Sequence, residues 1–405
     1  MSKPHPPQHD DCPATNDPDL LATSRRGFLA TALSLGGASL AVPGVAEAVA
    51  TPEPLLASPH DNRFTRAYGV RVPFVGAGMG FVAMPELVAA VSNAGGIGVL
   101  GNAIEPGVST QSLIQDIKAL TNKPFGVDFI VDESAFGPLT TDDHIAACIS
   151  EQVKLVIFHM NLPPREWVER LHGNGARVWA QVGSVDQAEA AARLGLDAVI
   201  AQGSEAGGHN KSTTPLHVLL PAVVRAVRPM MVLAAGGISD GERVHQALAA
   251  GADAVWVGTR LVASREAYAH AAYKARLVAA GNDSTVATTM FGPEYPGRPY
   301  RVLRNRIVNE FAGRESTIPD PPPPPATIGS TTLFPRTLRQ PYAMPKFSAI
   351  VPTPDTVGDF DEMGMPAGAG VAVIRDIPPA ARIVATMMAE ARECERRAGQ
   401  ARHES

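Results

Sequence analysis

Gly195–Ile200 reads GLDAVI, and Gly251–Trp256 repeats the pattern as GADAVW. Each copy follows an alanine-rich run with helical patterning, and its glycine stands where a helix C-cap is expected. The short apolar run after the glycine is typical of a strand that is buried on both faces of a parallel sheet. A helix followed by such a strand is the repeating unit of an α/β protein, so the two copies predict that architecture.

Six further apolar runs lie along the chain, with helical patterns between them. The eight predicted strands are Val72–Val75, Ile97–Leu100, Phe125–Ile130, Leu155–Phe158, Arg177–Gln181, Ala198–Ala201, Met231–Ala234 and Ala254–Val257. Ser184 and Ser239 each stand three residues before a Gln or Glu, which resembles the capping box at the start of a helix. Eight strands that alternate with helices favour a closed (β/α)8 TIM barrel over an open doubly wound sheet.

Composition limits the class of protein. The chain has 405 residues, of which 45% are hydrophobic and 19% are charged, so it can bury a large core. A formal net charge of −5 gives no electrostatic reason to expect nucleic acid as a partner. The body of the chain contains no uninterrupted apolar run of the length that a membrane span needs. None of the cysteines has the spacing of a metal site, and we expect no metal.

Residues 1–50 have the layout of a cleavable export signal. A polar, proline-rich start leads to Arg25 and Arg26, then to a mildly apolar stretch, and then to small residues around Ala46–Ala50. Paired arginines in this position are typical of the twin-arginine route, so we expect the export machinery as a partner and a periplasmic or extracellular location. The alternative is a disordered tail with a chance arginine pair, in which case the protein stays in the cytoplasm.

The remaining chain divides into three parts. Residues 60–313 form the predicted barrel, in which Ser264–Leu277 and Arg301–Phe311 show helical patterning. Residues 314–378 are rich in proline and lack periodicity, which predicts an irregular segment that acts as a lid or wraps the barrel edge. Residues 379–405 predict a terminal helix with one apolar face. The oligomeric state is left open, with a homo-oligomer as one alternative.

Glycine-rich loops follow three of the predicted strands. One runs from Gln202 to His209, the second covers Ala235–Ser239, and the third covers Gly258–Arg260. Loops after the seventh and eighth strands of a barrel commonly form a phosphate cup, because backbone N–H groups converge there. A nucleotide cofactor seated in such a cup would extend its ring across the barrel mouth, near Gly76–Met79, Gln181 and the loop that ends at His209. The alternative is ordinary turn chemistry with a solvent-exposed histidine.

Several motifs that occur in order resemble the nitronate monooxygenase family, formerly called 2-nitropropane dioxygenases. The similarity runs from about Val72 to Phe311. The motifs are Met84–Gly96, Pro124–Val127, Ala201–His209, Ala234–Ser239 and Gly258–Arg260. FMN-dependent enoyl-acyl-carrier-protein reductases share nearly all of these motifs. The resemblance therefore implies an FMN-dependent TIM-barrel enzyme.

The resemblance also implies a role for individual residues. His209 matches the family's catalytic histidine, which would take the α-proton of a nitroalkane or, when protonated, hold an anionic nitronate. The other residues would contact FMN: Gly236, Gly237, Gly258 and Thr259 at the phosphate, Gln202, Gly207 and Gly208 at the ribityl chain or flavin edge, and Ala77, Met79, Asp128 and Gln181 near the ring. The implied reaction consumes O2 and gives a carbonyl compound and nitrite.

Three sites depart from the family pattern: Gly78, Asp128, and the stretch Asn161–Pro163, which replaces the usual glycine-led version. Gly78 precedes Met79 where relatives usually have proline, which predicts a more flexible first loop. Asp128 stands where relatives commonly have asparagine, and an ionised carboxylate near the ring would disfavour a reduced, anionic flavin. These changes sit at strand ends, where substrate selectivity would be set.

Three functions are consistent with these observations. The first is a monooxygenase of nitronates or similar carbon acids, which releases nitrite without NAD(P)H. The second is an NAD(P)H-dependent reductase of activated alkenes, which resembles the enoyl reductases and acts without oxygen. The third is a non-catalytic flavin-binding redox protein, for which replacement of His209 would change nothing.

Overall fold

The computed structural model describes residues 61–318 and 327–403. The export signal predicted for residues 1–50 lies outside the described residues. Within the described ranges, no helix is both long enough and apolar enough to cross a bilayer.

Eight parallel strands form the central sheet. We number them in chain order: β1 Phe74–Gly76, β2 Gly98–Asn102, β3 Phe125–Ile130, β4 Leu155–His159, β5 Arg177–Val182, β6 Ala198–Gln202, β7 Met231–Ala235 and β8 Ala254–Val257. The hydrogen-bonded order is β1-β8-β7-β6-β5-β4-β3-β2. A parallel bridge between Val75 and Ile97 joins β1 to the start of β2 and closes the ring. The predicted TIM barrel is therefore confirmed, and each of the eight strands lies within two residues of its predicted bounds.

Helices connect the strands and cover the outside of the barrel. They span Arg63–Tyr68, Pro85–Asn93, Gly107–Leu120, Asp142–Ser150, Arg165–Gly173, Val185–Leu194, Leu216–Ala226, Gly241–Ala249, Thr259–Val262, Ala271–Ala279, Arg306–Phe311 and Ala380–His403, with 3-10 turns at Glu315–Thr317 and Ala369–Val373. Ser184 caps its helix as predicted, since its side chain accepts from the N–H of Gln187. The capping box predicted at Ser239 is wrong by one residue. The N-cap is Asp240, whose side chain accepts from the N–H of Arg243. An aspartate caps as well as a serine does, and three-residue spacing alone did not distinguish them.

The first helix seals the floor of the barrel. Phe64 is fully buried there, and Tyr68 accepts a hydrogen bond from the indole N–H of Trp179 at 2.7 Å. Arg63 forms an ion pair with Asp253, which precedes β8. Trp256 lies higher in the barrel interior, where it forms part of the cavity wall described below. The floor is thus closed by apolar packing, and only the opposite end is open for chemistry.

The chain after β8 differs from its predicted pattern. The helix predicted over Ser264–Leu277 is replaced by a turn and the helix Ala271–Ala279. The helix predicted over Arg301–Phe311 is wrong in its first half, because Tyr300–Leu303 is a strand. This strand pairs antiparallel with Thr285–Thr288 and with the short strand Gly208–His209. Pairing with distant segments outweighs the local helical pattern here.

The segment beyond the barrel contains a small antiparallel sheet that periodicity does not reveal. Thr327–Leu333 lies between Gln340–Pro345 and Val357–Gly358. Residues 369–373 form a 3-10 turn, and the terminal helix Ala380–His403 then packs on the helix Gly241–Ala249. The remaining short strands, Glu133–Ser134 and Gly137–Pro138, form a hairpin after β3.

Candidate functional site

One cavity lies at the carboxyl ends of the barrel strands, where loops can bring side chains together around a closed scaffold. The structure brings all twelve sequence-predicted site residues to its wall. They are Ala77, Met79, Asp128, Gln181, Gln202, Gly207, Gly208, His209, Gly236, Gly237, Gly258 and Thr259. They are contributed by the ends of six strands (β1, β3, β5, β6, β7 and β8) and by the loops that follow them.

The loop after β1 lies directly on the ends of β2 and β3. A β-carbon at Gly101 would come within 2.2 Å of the backbone of Met79, and one at Gly78 would come within 2.3 Å of the β-carbon of Asp128. Such distances leave no room for a side chain at either position. The close approach of Asp128 therefore requires glycine at position 78. The departures from the family pattern at Gly78 and Asp128 thus belong to one contact.

The loops after β7 and β8 expose backbone donors to the cavity. Gly236 and Gly237 have φ angles of +117° and +71°, a conformation that favours glycine. The N–H groups of Gly236, Gly237 and Gly258 donate to no other described residue. Unpaired N–H groups that converge at one end of a barrel are suited to an anionic group such as a phosphate.

The loop Gly203–His209 is held from three sides. The N–H of Gly203 donates to the carbonyl of Ala235 at 2.9 Å. The Glu205 carboxylate accepts from the N–H of Leu216, the first residue of a helix, at 2.9 Å. A β-carbon at Gly207 would lie 2.5 Å from the N–H nitrogen of Gly368. This packing fixes the position of His209 at the end of the loop.

His209 is clamped between aromatic rings in the cavity wall. Its imidazole stacks on Tyr300 with ring centroids 4.2 Å apart and an angle of 17°, and it meets Tyr295 edge-on at 4.8 Å. Burial, and to a lesser extent the nearby His159, lowers the pKa of His209 to about 3. The ring is therefore neutral at physiological pH, and its Nδ1 has no partner among the described residues. A neutral imidazole has a ring lone pair that can accept a hydrogen bond or a proton from a ligand.

His159 is a second imidazole in the cavity wall, which sequence reasoning missed. Its Nε2 donates to the carbonyl oxygen of His209 at 3.1 Å, which leaves the lone pair on Nδ1. That Nδ1 has no partner in the described part of the chain. Burial lowers the pKa of His159 to about 4. The signal for it was present: His159 directly follows the apolar run Leu155–Phe158, at the carboxyl end of β4.

Asp128 is buried in the wall opposite the glycine loops. The amide of Gln181 donates to its Oδ2 at 2.9 Å, while its Oδ1 has no partner among the described residues. Burial raises the pKa of Asp128 well above its ordinary value. A carboxyl group in this setting is neutral, so the ionised form considered from the sequence is disfavoured.

Sequence reasoning also missed the residues that form the roof of the cavity. Tyr295, Tyr300 and Glu294 come from the segment after the barrel helices. Glu294 is buried and holds the C-terminal segment: it accepts from the hydroxyls of Tyr342 and Ser348, each at 2.6 Å, and from the N–H of Ala349 at 2.8 Å. No motif singled out these residues, because their partners are far away in sequence.

The C-terminal segment contributes directly to the cavity wall. Ile350 and Val351 line it, as do Pro366 and Gly368. The N–H of Gly368 donates to the hydroxyl of Thr259 at 2.9 Å, next to the glycine loop after β8. The segment predicted as a lid or a wrap thus covers the mouth of the barrel.

Comparison with known proteins identifies relatives of this chain. The family model described as nitronate monooxygenase matches residues 62–390. The chain is 37% identical over 249 residues to a (3aS,4S,5R,7aS)-5-hydroxy-7a-methyl-1-oxo-octahydro-1H-indene-4-carboxyl-CoA dehydrogenase of Mycobacterium tuberculosis, which covers 61% of this chain and 67% of the relative. It is 30% identical over 374 residues to a nitronate monooxygenase of Pseudomonas aeruginosa, which covers 82% and 99%. Among solved structures, FabK from Thermotoga maritima is 31% identical with a TM-score of 0.69, covering 84% of this chain and 98% of that one.

Proposed function

The chain belongs to the nitronate monooxygenase family and is an oxidoreductase, and from this premise we propose that it oxidises carbon acids with FMN and O2. Alkyl nitronates and nitroalkanes are the first candidate substrates, with a carbonyl compound and nitrite as products. The observation that carries the proposal is the neutral, aromatic-clamped imidazole of His209 in a cavity whose other wall is built of glycine loops.

The residues of the cavity fit FMN. The unpaired N–H groups of Gly236, Gly237 and Gly258 would hold the phosphate, together with Thr259. Ala77 and Met79 would contact the ring, and a side chain at Gly258 would begin to fill the space beside them. When bound, FMN would supply the two-electron oxidation and the reaction with oxygen, which no side chain can perform.

His209 would act as the base. Burial keeps the imidazole neutral at physiological pH, so a ring lone pair is available to take an acidic C–H proton. The stack on Tyr300 fixes the plane of the ring, and the pairing of Gly208–His209 with Tyr300–Arg301 fixes its backbone.

A second candidate is dehydrogenation of an acyl thioester. The relative with 37% identity is named as a dehydrogenase of a CoA thioester. The proton next to a thioester carbonyl is also acidic, so a neutral His209 suits this substrate as it suits a nitroalkane. The two candidates share the base and differ in the substrate.

Anaerobic mixing of the purified yellow protein with single reductants distinguishes these functions. Propionate 3-nitronate is expected to bleach the flavin without NADH. Bleaching by NADH alone would instead identify the reductase suggested by the similarity to enoyl reductases, and bleaching by an acyl-CoA alone would identify the thioester dehydrogenase.

The variant His209→Ala tests the role of the base in the same experiment. We expect it to retain FMN but to be reduced by a neutral nitroalkane about 10²- to 10⁴-fold more slowly. Unchanged reduction would exclude His209 as the base, and a colourless wild-type protein that cannot be reconstituted with FMN would exclude the proposed cofactor.

A further inference from the structure

Asp128 occupies an unusual position for an acidic residue. It lies on β3 between Gly101 of β2 and Ile157 of β4, faces the cavity, and is only 5% exposed. Of its two oxygens, Oδ2 accepts from Gln181 and Oδ1 has no partner among the described residues. The backbone of Gly78 packs against the same carboxyl group.

No charge compensates this carboxyl group. The groups that act on its pKa are the Gln181 amide and the backbone N–H of Phe129, which are both neutral, and they only partly oppose the effect of burial. The two histidines of the cavity, His159 and His209, are themselves uncharged. Gly78, Gly101 and Ile157 bring no titratable side chain. A buried carboxylate without a cation is so costly that the group keeps its proton.

The geometry assigns that proton to a function: we propose that Asp128 is a neutral carboxylic acid whose Oδ1 hydroxyl donates a hydrogen bond to the ligand of the cavity. The hydrogen bond from Gln181 indicates which oxygen of Asp128 carries the proton. Because Gln181 already donates to Oδ2, that oxygen serves as the acceptor and the proton resides on Oδ1. A buried hydroxyl without a partner is costly, so a ligand that accepts this bond is stabilised by it.

The inference rests on the proposed flavin site, because the ring of FMN carries carbonyl oxygens and ring nitrogens that accept hydrogen bonds. Asp128 is then a residue that positions the flavin, and its ionisation removes the donor and places a negative charge in the cavity. FMN is therefore expected to bind more tightly to a protein with a neutral donor at this position than to one without it.

Three proteins test the proposal: wild type, Asp128→Asn and Asp128→Leu. Asparagine keeps both features of the neutral acid, since its carbonyl accepts from Gln181 and its amide donates where the hydroxyl did. Leucine has the same number and branching of side-chain heavy atoms, with bulkier methyl groups, but has neither feature. Thermal unfolding of each protein shows whether the variant is folded before its affinity is compared.

The first measurement is FMN affinity by ultrafiltration at neutral pH. We expect the affinity of Asp128→Asn to lie within about threefold of the wild-type value and that of Asp128→Leu to be about tenfold weaker. An Asp128→Asn variant as weak as Asp128→Leu would overturn the donor role.

The second measurement does not depend on the flavin. The infrared difference spectrum between wild type and Asp128→Asn at neutral pH should contain the carbonyl band of a protonated carboxylic acid. Its absence would overturn the neutral state of Asp128 even if FMN binds. A protein that shows the band but binds no FMN would overturn both the proposed cofactor and the donation to it, while the protonated state itself would stand.

Discussion

At the scale of single residues, one contact between Gly78 and Asp128 accounts for two unusual positions. Separately, each is a departure from the family pattern. In the structure they touch, and the 2.3 Å approach of a hypothetical β-carbon at Gly78 to the β-carbon of Asp128 shows that position 78 has no space for a side chain. The sequence could identify both positions but not their contact, because Gly78 lies in the loop after β1, Asp128 lies on β3, and no local pattern connects them.

Gly78→Ala should therefore destabilise the protein by about 1–3 kcal/mol, as overpacking of a filled site does. The measurement is the free energy of unfolding in denaturant. Gly173→Ala is the matched control, because a β-carbon there meets nothing within 4 Å and Gly173 lies at the end of a helix. The control should be neutral or stabilising by up to about 1 kcal/mol. Equal effects of the two substitutions would contradict the packing argument.

At the scale of elements, burial decides which strands and helices can be predicted from the sequence. The eight barrel strands could be predicted within two residues because they are buried on both faces and read as continuous apolar runs. Tyr300–Leu303 could not, because its partners are Thr285–Thr288 and Gly208–His209, which only the folded chain brings together. The glycine loops of the site follow buried strands and were found, whereas Tyr300 and Glu294 follow none and were missed.

Glu294 is a buried group that ties the C-terminal segment to the cavity through three hydrogen bonds. Glu294→Ala leaves the hydroxyls of Tyr342 and Ser348 and the N–H of Ala349 without their acceptor, which should cost about 3 kcal/mol or more. Limited proteolysis should then cut within residues 327–377 faster than in wild type. Tyr342→Phe, which removes one of these bonds, should cost about 1 kcal/mol.

Glu393→Ala is the control for this prediction, because Glu393 forms its ion pairs with Arg396 and Arg397 on the surface of the terminal helix. It should leave the proteolysis rate unchanged. A Glu294→Ala variant that resists protease as wild type does would show that the segment is held by other contacts.

Titration of the buried histidines affects the stability of the whole molecule. In the folded protein the pKa of His159 is lowered to about 4 and that of His209 to about 3. In the unfolded chain a histidine takes up its proton near pH 6.5. Between these values the unfolded state binds more protons, so each histidine lowers stability as the pH falls from about 6.5 to about 4.

Comparison with His159→Gln isolates this effect. Glu105, whose pKa is raised to about 7, acts in the opposite direction between about pH 4.5 and pH 7, as does Asp128, but both are present in the two proteins and cancel in the difference. The stability of wild type relative to the variant should fall by up to about 1.4 kcal/mol per pH unit over the window. Parallel stability curves would show that His159 is not buried as a neutral group.

Export is a further prediction for the whole chain. If residues 1–50 direct the twin-arginine route, replacement of Arg25 and Arg26 by lysine should leave the uncleaved protein in the cytoplasm, whereas wild type should appear shortened in the periplasm or the medium. Cell fractionation decides between these locations. Wild type found uncleaved in the cytoplasm would support the alternative of a chance arginine pair.

The three tryptophans occupy different places in and around the barrel, so their fluorescence can report on different parts of the protein. Trp179 is sealed into the floor, Trp256 belongs to the cavity wall, and Trp167 stacks on Phe158 outside the barrel interior. A yellow ligand in the cavity absorbs light where indole emits and would quench Trp256 most strongly. Fluorescence of the protein with Trp256 as its sole indole would therefore report occupancy of the mouth without a label, while emission from Trp179 would report whether the opposite end is intact.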